Sequence, residues 1–200
     1  MIGSGGVRMG GMAVNSFMVP IGSPAPDFSL PRADGGGDVS LKDFADTSAL
    51  LVVFLSNHCP YVQHVEAALG AFASDYAVKG LATVGICAND VVNYPDDDAP
   101  HLVAQAQRAS FTFPYLVDED QQVALAYRAA CTPDFFLYDA ARRLAYRGKF
   151  DGSRPKTGQT PTGASLRAAA DLVLASQAVP EPHDPSTGCS IKWKPGNQPE

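Results

Sequence analysis

Two uninterrupted apolar runs, ALLVVFLS (49–56) and LATVGIC (81–87), frame a stretch of different rhythm. Runs of this length, rich in branched residues, read as strands buried on both faces. Between them the apolar positions Val62, Val65, Leu69, Phe72 and Tyr76 recur at spacings of three and four, which is one face of a helix. Gly80 follows where a left-handed residue ends a helix. Residues 50–87 therefore predict a βαβ unit with parallel strands and a right-handed crossover.

The remaining pattern extends this unit. GSPAPDFSLP (22–31) is extended, ADGGGD is a turn, and SLKDF is a short helical piece with Ser40 as its cap. A helix is expected over 99–110, with Asp98 as cap and Pro100 in the first turn. FTFPYLVD reads as extended and EDQQVALAYR as a short helix. DFFLYD and RLAYRG form an antiparallel hairpin across AARR, and GASLRAAADLVLAS is a last helix with Leu166, Ala169 and Val173 facing inward. The order predicts an α/β fold: a central mixed sheet with helices on both faces. Its expected limits are a disordered N-terminal segment (1–19), one domain (20–177) and a C-terminal tail (178–200).

Composition narrows the function classes. At 200 residues, 46% hydrophobic and 18% charged, the chain has the make-up of one globular domain. A net charge of −6 argues against a nucleic-acid partner, which needs a basic face. No apolar run approaches the ~20 residues of a membrane helix, and no secretory h-region is visible. Four widely spaced cysteines, Cys59, Cys87, Cys131 and Cys189, suit cytoplasmic thiols with a redox pair better than a disulfide scaffold.

Cys59 stands out by its place. In an open α/β sheet the site lies beyond the carboxyl ends of the parallel strands, and SNHCPYVQH (56–64) falls there. Pro60 suits a first helical position, so Cys59 sits at the helix N-terminus, where unpaired N–H groups favour an anion and lower a thiol pKa. His58 adds to this when cationic, and Ser56 is placed to donate a hydrogen bond to the thiolate.

On GSPAPDFSL, LLVVFLSNHCPYV and CTPDFFLYD, the chain resembles the thioredoxin-fold redoxins, in the alkyl hydroperoxide reductase/thiol-specific antioxidant (peroxiredoxin-like) branch. The resemblance spans about residues 20–175. It implies a thioredoxin-like fold and a thiol oxidoreductase that acts in redox homeostasis. Cys59 is then the catalytic thiolate, with Pro133 cis and, beside Thr132, facing it. The substrate is a small peroxide or a protein or small-molecule disulfide, the reductant is thioredoxin or a low-molecular-weight thiol, and no cofactor is required. A homodimer is one arrangement it allows. Cys131, two residues before Pro133, and Cys189, in STGCSIKWK, are the candidate resolving thiols. Cys87 reads as core. For Cys189 the alternative is a tail docked through Ile191 and Trp193 as a short edge strand, with the cysteine carried along.

The departures are specific. A Cys-x-x-Cys pair is absent because position 62 is Val62, and Val52 stands where a typical peroxiredoxin has proline. Pro133 falls near the place of the peroxide-holding arginine, which leaves Arg128, Arg147 and Arg154 as substitutes. Two other readings compete. One is metal delivery through His58, Cys59 and His64 with a loop ligand such as His101 or His183. The other is a non-catalytic binding protein. The DDD run at 96–98 lacks calcium-loop spacing and reads as a solvated cap.

Overall fold

The computed structural model describes residues 13–199. In chain order the elements are β1 (Ala13–Asn15), β2 (Ser29–Pro31), β3 (Asp38–Ser40), β4 (Ala49–Phe54), α1 (Pro60–Ala77), β5 (Leu81–Cys87), α2 (Ala99–Arg108), β6 (Tyr115–Val117), α3 (Gln122–Tyr127), β7 (Cys131–Thr132), β8 (Asp134–Tyr138), β9 (Leu144–Arg147), α4 (Ala164–Leu174) and β10 (Thr187–Ser190). Five strands form the central sheet in the order β6-β5-β4-β8-β9. β4, β5 and β6 run parallel, while β8 and β9 are antiparallel to their neighbours. The βαβ unit and the hairpin are thus both present.

β4 shows why an unbroken apolar run was needed. Leu51, Val53 and Leu55 face a core shared with Val62, Val65, Leu69 and Phe72 of α1 and Leu166 and Val173 of α4. Leu50, Val52 and Phe54 face the opposite core, with Val123, Ala124 and Tyr127 of α3. Each such side chain removed from water contributes about 1.5–3 kcal/mol, so a polar residue on either face of β4 would be costly. The chain leaves α1 at Gly80 with φ 90, the left-handed conformation expected there. Ser40 precedes a short 3-10 helix (Leu41–Phe44), and its N–H donates to Asp43 at 2.7 Å. Asp98 caps α2 by accepting from the His101 N–H at 3.1 Å. Among the described residues, no helix is long and apolar enough to cross a membrane.

Both chain ends depart from expectation. Residues 13–15, inside the segment expected to be disordered, form β1; residues 1–12 lie outside the described residues. The C-terminal residues do not stand apart as a tail. β10 is the middle strand of a second sheet, β1-β10-β7, not an edge. Ile191 is buried in the α3-side core with Trp193 packed against it. The segment is anchored further by Lys192 N–H to Asn89 Oδ1 (2.8 Å) and Lys194 N–H to Gln121 Oε1 (2.8 Å). Polar, Pro-rich composition suggested a tail, but burial of Ile191 and this backbone pairing outweigh the local bias. Gly188 permits the docking: a Cβ there would lie 2.0 Å from the Thr132 carbonyl oxygen.

Candidate active site

Cys59 is the N-cap residue of α1 and is fully buried, at 0% exposure. Three segments converge on its sulfur. The first is the helix start, with Pro60 at the first helical position. The second is the loop at Thr132–Pro133, whose peptide bond is cis; in the neutral state the thiol donates to the Thr132 carbonyl at 3.1 Å. The third is β10, where Cys189 pairs in register with Thr132. The neighbouring Cys189 side chain is the main reason the Cys59 pKa falls from 9.0 to about 6. Burial opposes that fall, while the Thr132 side chain and the N–H groups of Val62 and Cys189 reinforce it. The same contact, aided by burial, raises the Cys189 thiol above its ordinary value. A negative sulfur at Cys59 is therefore held by one neutral thiol and by backbone donors.

The groups expected to tune Cys59 are arranged differently. Ser56 does not donate to the thiolate. Its single hydroxyl hydrogen is directed at the Asp97 carboxylate, 3.0 and 3.1 Å from the two oxygens. Of the DDD run, Asp98 is the solvated cap of α2, but Asp97 is not solvated. Asp97 is 1% exposed, held in a 3-10 turn (Pro95–Asp97) immediately before the α2 cap. It also accepts from the Asn57 N–H (2.7 Å), the His58 N–H (3.2 Å) and Asn89 Nδ2 (2.6 Å), and it lies 2.8 Å from His58 Nδ1. Burial pushes the Asp97 carboxyl up, yet hydrogen bonds from His58 and Asn89 outweigh it and the pKa falls. The hydrogen bond to Asp97 raises the His58 pKa in turn, against burial. The His58 ring stacks on Tyr94 (5.5 Å between centroids), and Lys192 sits over the far ring at 5.6 Å. Asp97 was missed because nothing in a run of three aspartates marks the one that turns inward. Its bracketing prolines, Pro95 and Pro100, are the sole local signal of a constrained loop.

The other candidates separate clearly. Cys131 is buried beside the same loop, donates to the Pro133 carbonyl (3.6 Å), and is pushed well above its ordinary pKa by burial and the Asp134 carboxylate. Cys87 lies in the core and burial raises its thiol too. Arg147 is tied to Glu181 (3.2 Å) and His183 (3.0 Å), Arg128 lies over Phe17, and Arg154 lines a cleft that ends at Pro133. His64 bonds Ser153 (3.0 Å), and His101 bonds Asp98 (2.7 Å). His58, Cys59 and His64 do not converge on one point, and among the described residues no group of three or more His, Cys, Asp or Glu side chains could hold a metal.

Residues 21–147 match the model of the AhpC/TSA family. The chain belongs to the AhpC/TSA family. A hypothetical protein from Sinorhizobium meliloti 1021 is 48% identical with a TM-score of 0.88, over 91% of this chain and 99% of that one. An uncharacterized conserved protein from Geobacillus kaustophilus is 46% identical with a TM-score of 0.90, over 94% and 100%. A thiol:disulfide interchange protein of the thioredoxin family from Chlorobium tepidum is similar in fold alone, at 17% identity and a TM-score of 0.59 over 78% and 99%. Among curated proteins, none matches the chain. This AhpC/TSA member has a thioredoxin-like α/β fold, as the strand order and the junction motif imply. The family match stops at Arg147, so β10 and Cys189 lie outside the part it covers.

Proposed function

We propose that the protein is a thiol–disulfide oxidoreductase in which Cys59 attacks and Cys189 resolves. One observation carries the reading: β10 sets Cys189 in register with Thr132, whose carbonyl accepts from the Cys59 thiol at 3.1 Å, and beside Cys189 the Cys59 pKa is lowered to about 6. At neutral pH such a sulfur is mostly thiolate, the attacking species in exchange. The Cys59 thiolate attacks a disulfide R–S–S–R′, forming Cys59–S–S–R and releasing R′–S⁻. The negative charge on Cys59 is then gone, and with it the main cause of the raised Cys189 pKa. Cys189 loses its proton to a leaving thiolate, attacks the Cys59 sulfur, and expels R–S⁻. Two electrons pass from the cysteine pair to the substrate, and an intramolecular disulfide remains. Two equivalents of a low-molecular-weight thiol run the same exchanges backwards and reset the pair.

A disulfide is favoured over a peroxide as oxidant by the placement of the cations. Arg147 and Arg128 are engaged elsewhere, Arg154 lines a cleft that does not include Cys59, and Ser56 is directed at Asp97. The groups at the sulfur are another thiol and backbone amides. Cys131 is a weaker resolving candidate than Cys189, because its thiol donates to a carbonyl and is held neutral by the buried Asp134 beside it.

The test is peptide mapping of the reduced protein after one equivalent of a small disulfide. The expected product is a Cys59–Cys189 cross-link. A Cys59–Cys131 link, or a Cys59 that keeps the reagent as a stable mixed disulfide, would overturn the assignment of Cys189.

A further inference from the structure

An extended peptide reaches a buried site most readily by adding a strand to a free sheet edge. Beside Cys59 that edge is β7, and it is taken. Cys189 and Ser190 pair with Thr132 and Cys131, and β1 closes the far side of β10. Gly188 lies flat on the Thr132 carbonyl, in a space that admits no side chain. The approach to the strand is pinned as well: Ser186 Oγ donates to the Pro133 carbonyl at 2.6 Å, and its N–H donates to Ser16 Oγ at 3.0 Å. Beyond it, the Ile191 N–H donates to the Ala130 carbonyl at 3.2 Å.

A narrow cleft lies on the other side of the Thr132–Pro133 loop. With a volume of about 120 Å³ it reaches Pro133, walled by Tyr61, two residues past Cys59, and by Thr187, two before Cys189. Arg154 and Lys149 stand on its wall, and Lys149 is paired with Asp184 at 2.5 Å. A volume of this order admits a few non-hydrogen atoms, and no polypeptide backbone with its flanking side chains fits it.

We propose that β10 fills the strand-pairing position beside Cys59 from within the chain, so that the oxidant of the cysteine pair is a small organic disulfide and not a polypeptide. The inference rests on the thiol–disulfide reading above and names its substrate class. A small disulfide needs no strand pairing to reach the pair. A polypeptide needs the pairing of β10 with β7, and the Ser186 anchors, to break first. The exchange steps are those already written, with both R groups small.

The experiment compares two oxidants of matched chemistry on the full reduced chain: bis(2-hydroxyethyl) disulfide, and an extended peptide whose single cysteine carries the same hydroxyethyl disulfide. Loss of free Cys59 and Cys189 is followed by rapid quenching and mass spectrometry. The small reagent should oxidise the pair roughly a hundredfold faster than the peptide, the cost of opening several hydrogen bonds. In Gly188→Ala, which puts a methyl group into the Thr132 carbonyl, the peptide-to-small rate ratio should rise roughly tenfold. Ser186→Ala removes one anchor without a steric conflict and should move the ratio the same way by a smaller factor. A peptide that keeps pace with the small reagent in the wild type, or a ratio that neither variant moves, overturns the proposal. If neither reagent oxidises Cys59, the redox reading itself has failed and takes this one with it. A fast small reagent that leaves a Cys59–Cys131 link would sink the resolving role of Cys189 and leave the substrate class standing.

Discussion

Cys59 and Cys131 are both fully buried and both lie against the Thr132–Pro133 segment, yet their thiols are driven in opposite directions. Burial alone pushes both up. Cys131 meets a carbonyl and a buried carboxyl, which favour a neutral thiol. Cys59 also meets a carbonyl, that of Thr132 at 3.1 Å, but donors outweigh it and its burial: the Cys189 side chain, the Thr132 side chain, and N–H groups of α1 and β10. For Cys131 burial is the largest cause and no comparable set of donors opposes it. Reactivity at this site is therefore decided by whether donors at the sulfur offset its burial.

The largest expected break in the comparison is removal of the sulfur. Cys59→Ser should abolish fast alkylation by a small reagent at pH 7, where a thiol with a pKa of about 6 carries roughly a hundredfold more thiolate than an ordinary one. Cys131→Ser should leave that rate nearly unchanged. Alkylation rates against pH for the three proteins settle it; a wild-type midpoint above 8 would contradict the site described here.

Cys189→Ala removes the largest cause of the lowered Cys59 pKa. The alkylation midpoint should climb from about 6, and the rate at pH 6 should drop roughly tenfold, since each pKa unit is a factor of ten in acidity. No intramolecular disulfide should form in this variant under one equivalent of oxidant. An unchanged midpoint would assign the lowered pKa to the Thr132 side chain and the backbone N–H donors.

Asp97→Ala leaves the donors of Ser56, Asn57, Asn89 and His58 without their shared acceptor. Leaving buried polar groups unpaired costs about 2–4 kcal/mol in total, which denaturant unfolding would detect. The His58 pKa, read by NMR, should also fall, because the hydrogen bond to Asp97 is what raises it. A variant of wild-type stability would mean that this cluster contributes nothing to the loop.

The last effect is one of linkage. Folded Cys59 loses its proton near pH 6 and the unfolded residue near 9.0. Between these values the unfolded chain holds more proton, so stability rises with pH across the window and the gain is lost as pH falls through 6. The difference in unfolding free energy between the wild type and Cys59→Ser should therefore grow from pH 6 to 9. A difference that stays flat over that range would show that the native sulfur is not anionic.

Much of this was legible in advance. The βαβ unit, the hairpin, the caps at Ser40 and Asp98, and Cys59 at the start of α1 all follow from local rules: alternation of burial, helical spacing, and Pro beside Cys. Asp97 was not legible, because which of three adjacent aspartates turns inward depends on Ser56, Asn57 and His58, some 40 residues away in sequence. The direction of the Ser56 hydroxyl was missed for the same reason. Cys189 was visible as a thiol, but its neighbour was not.

The pattern of residues by itself determined the layers of the fold and the placing of one sulfur at a helix N-terminus, because periodicity and end effects act over a few residues. Only the tertiary structure decided that β10 returns across the loop at Pro133, that its thiol rests on Cys59, and that Asp97 gathers the donors around His58. Those outcomes depend on hydrogen bonds between residues some 40 to 130 positions apart, and no local rule in the chain encodes such a meeting.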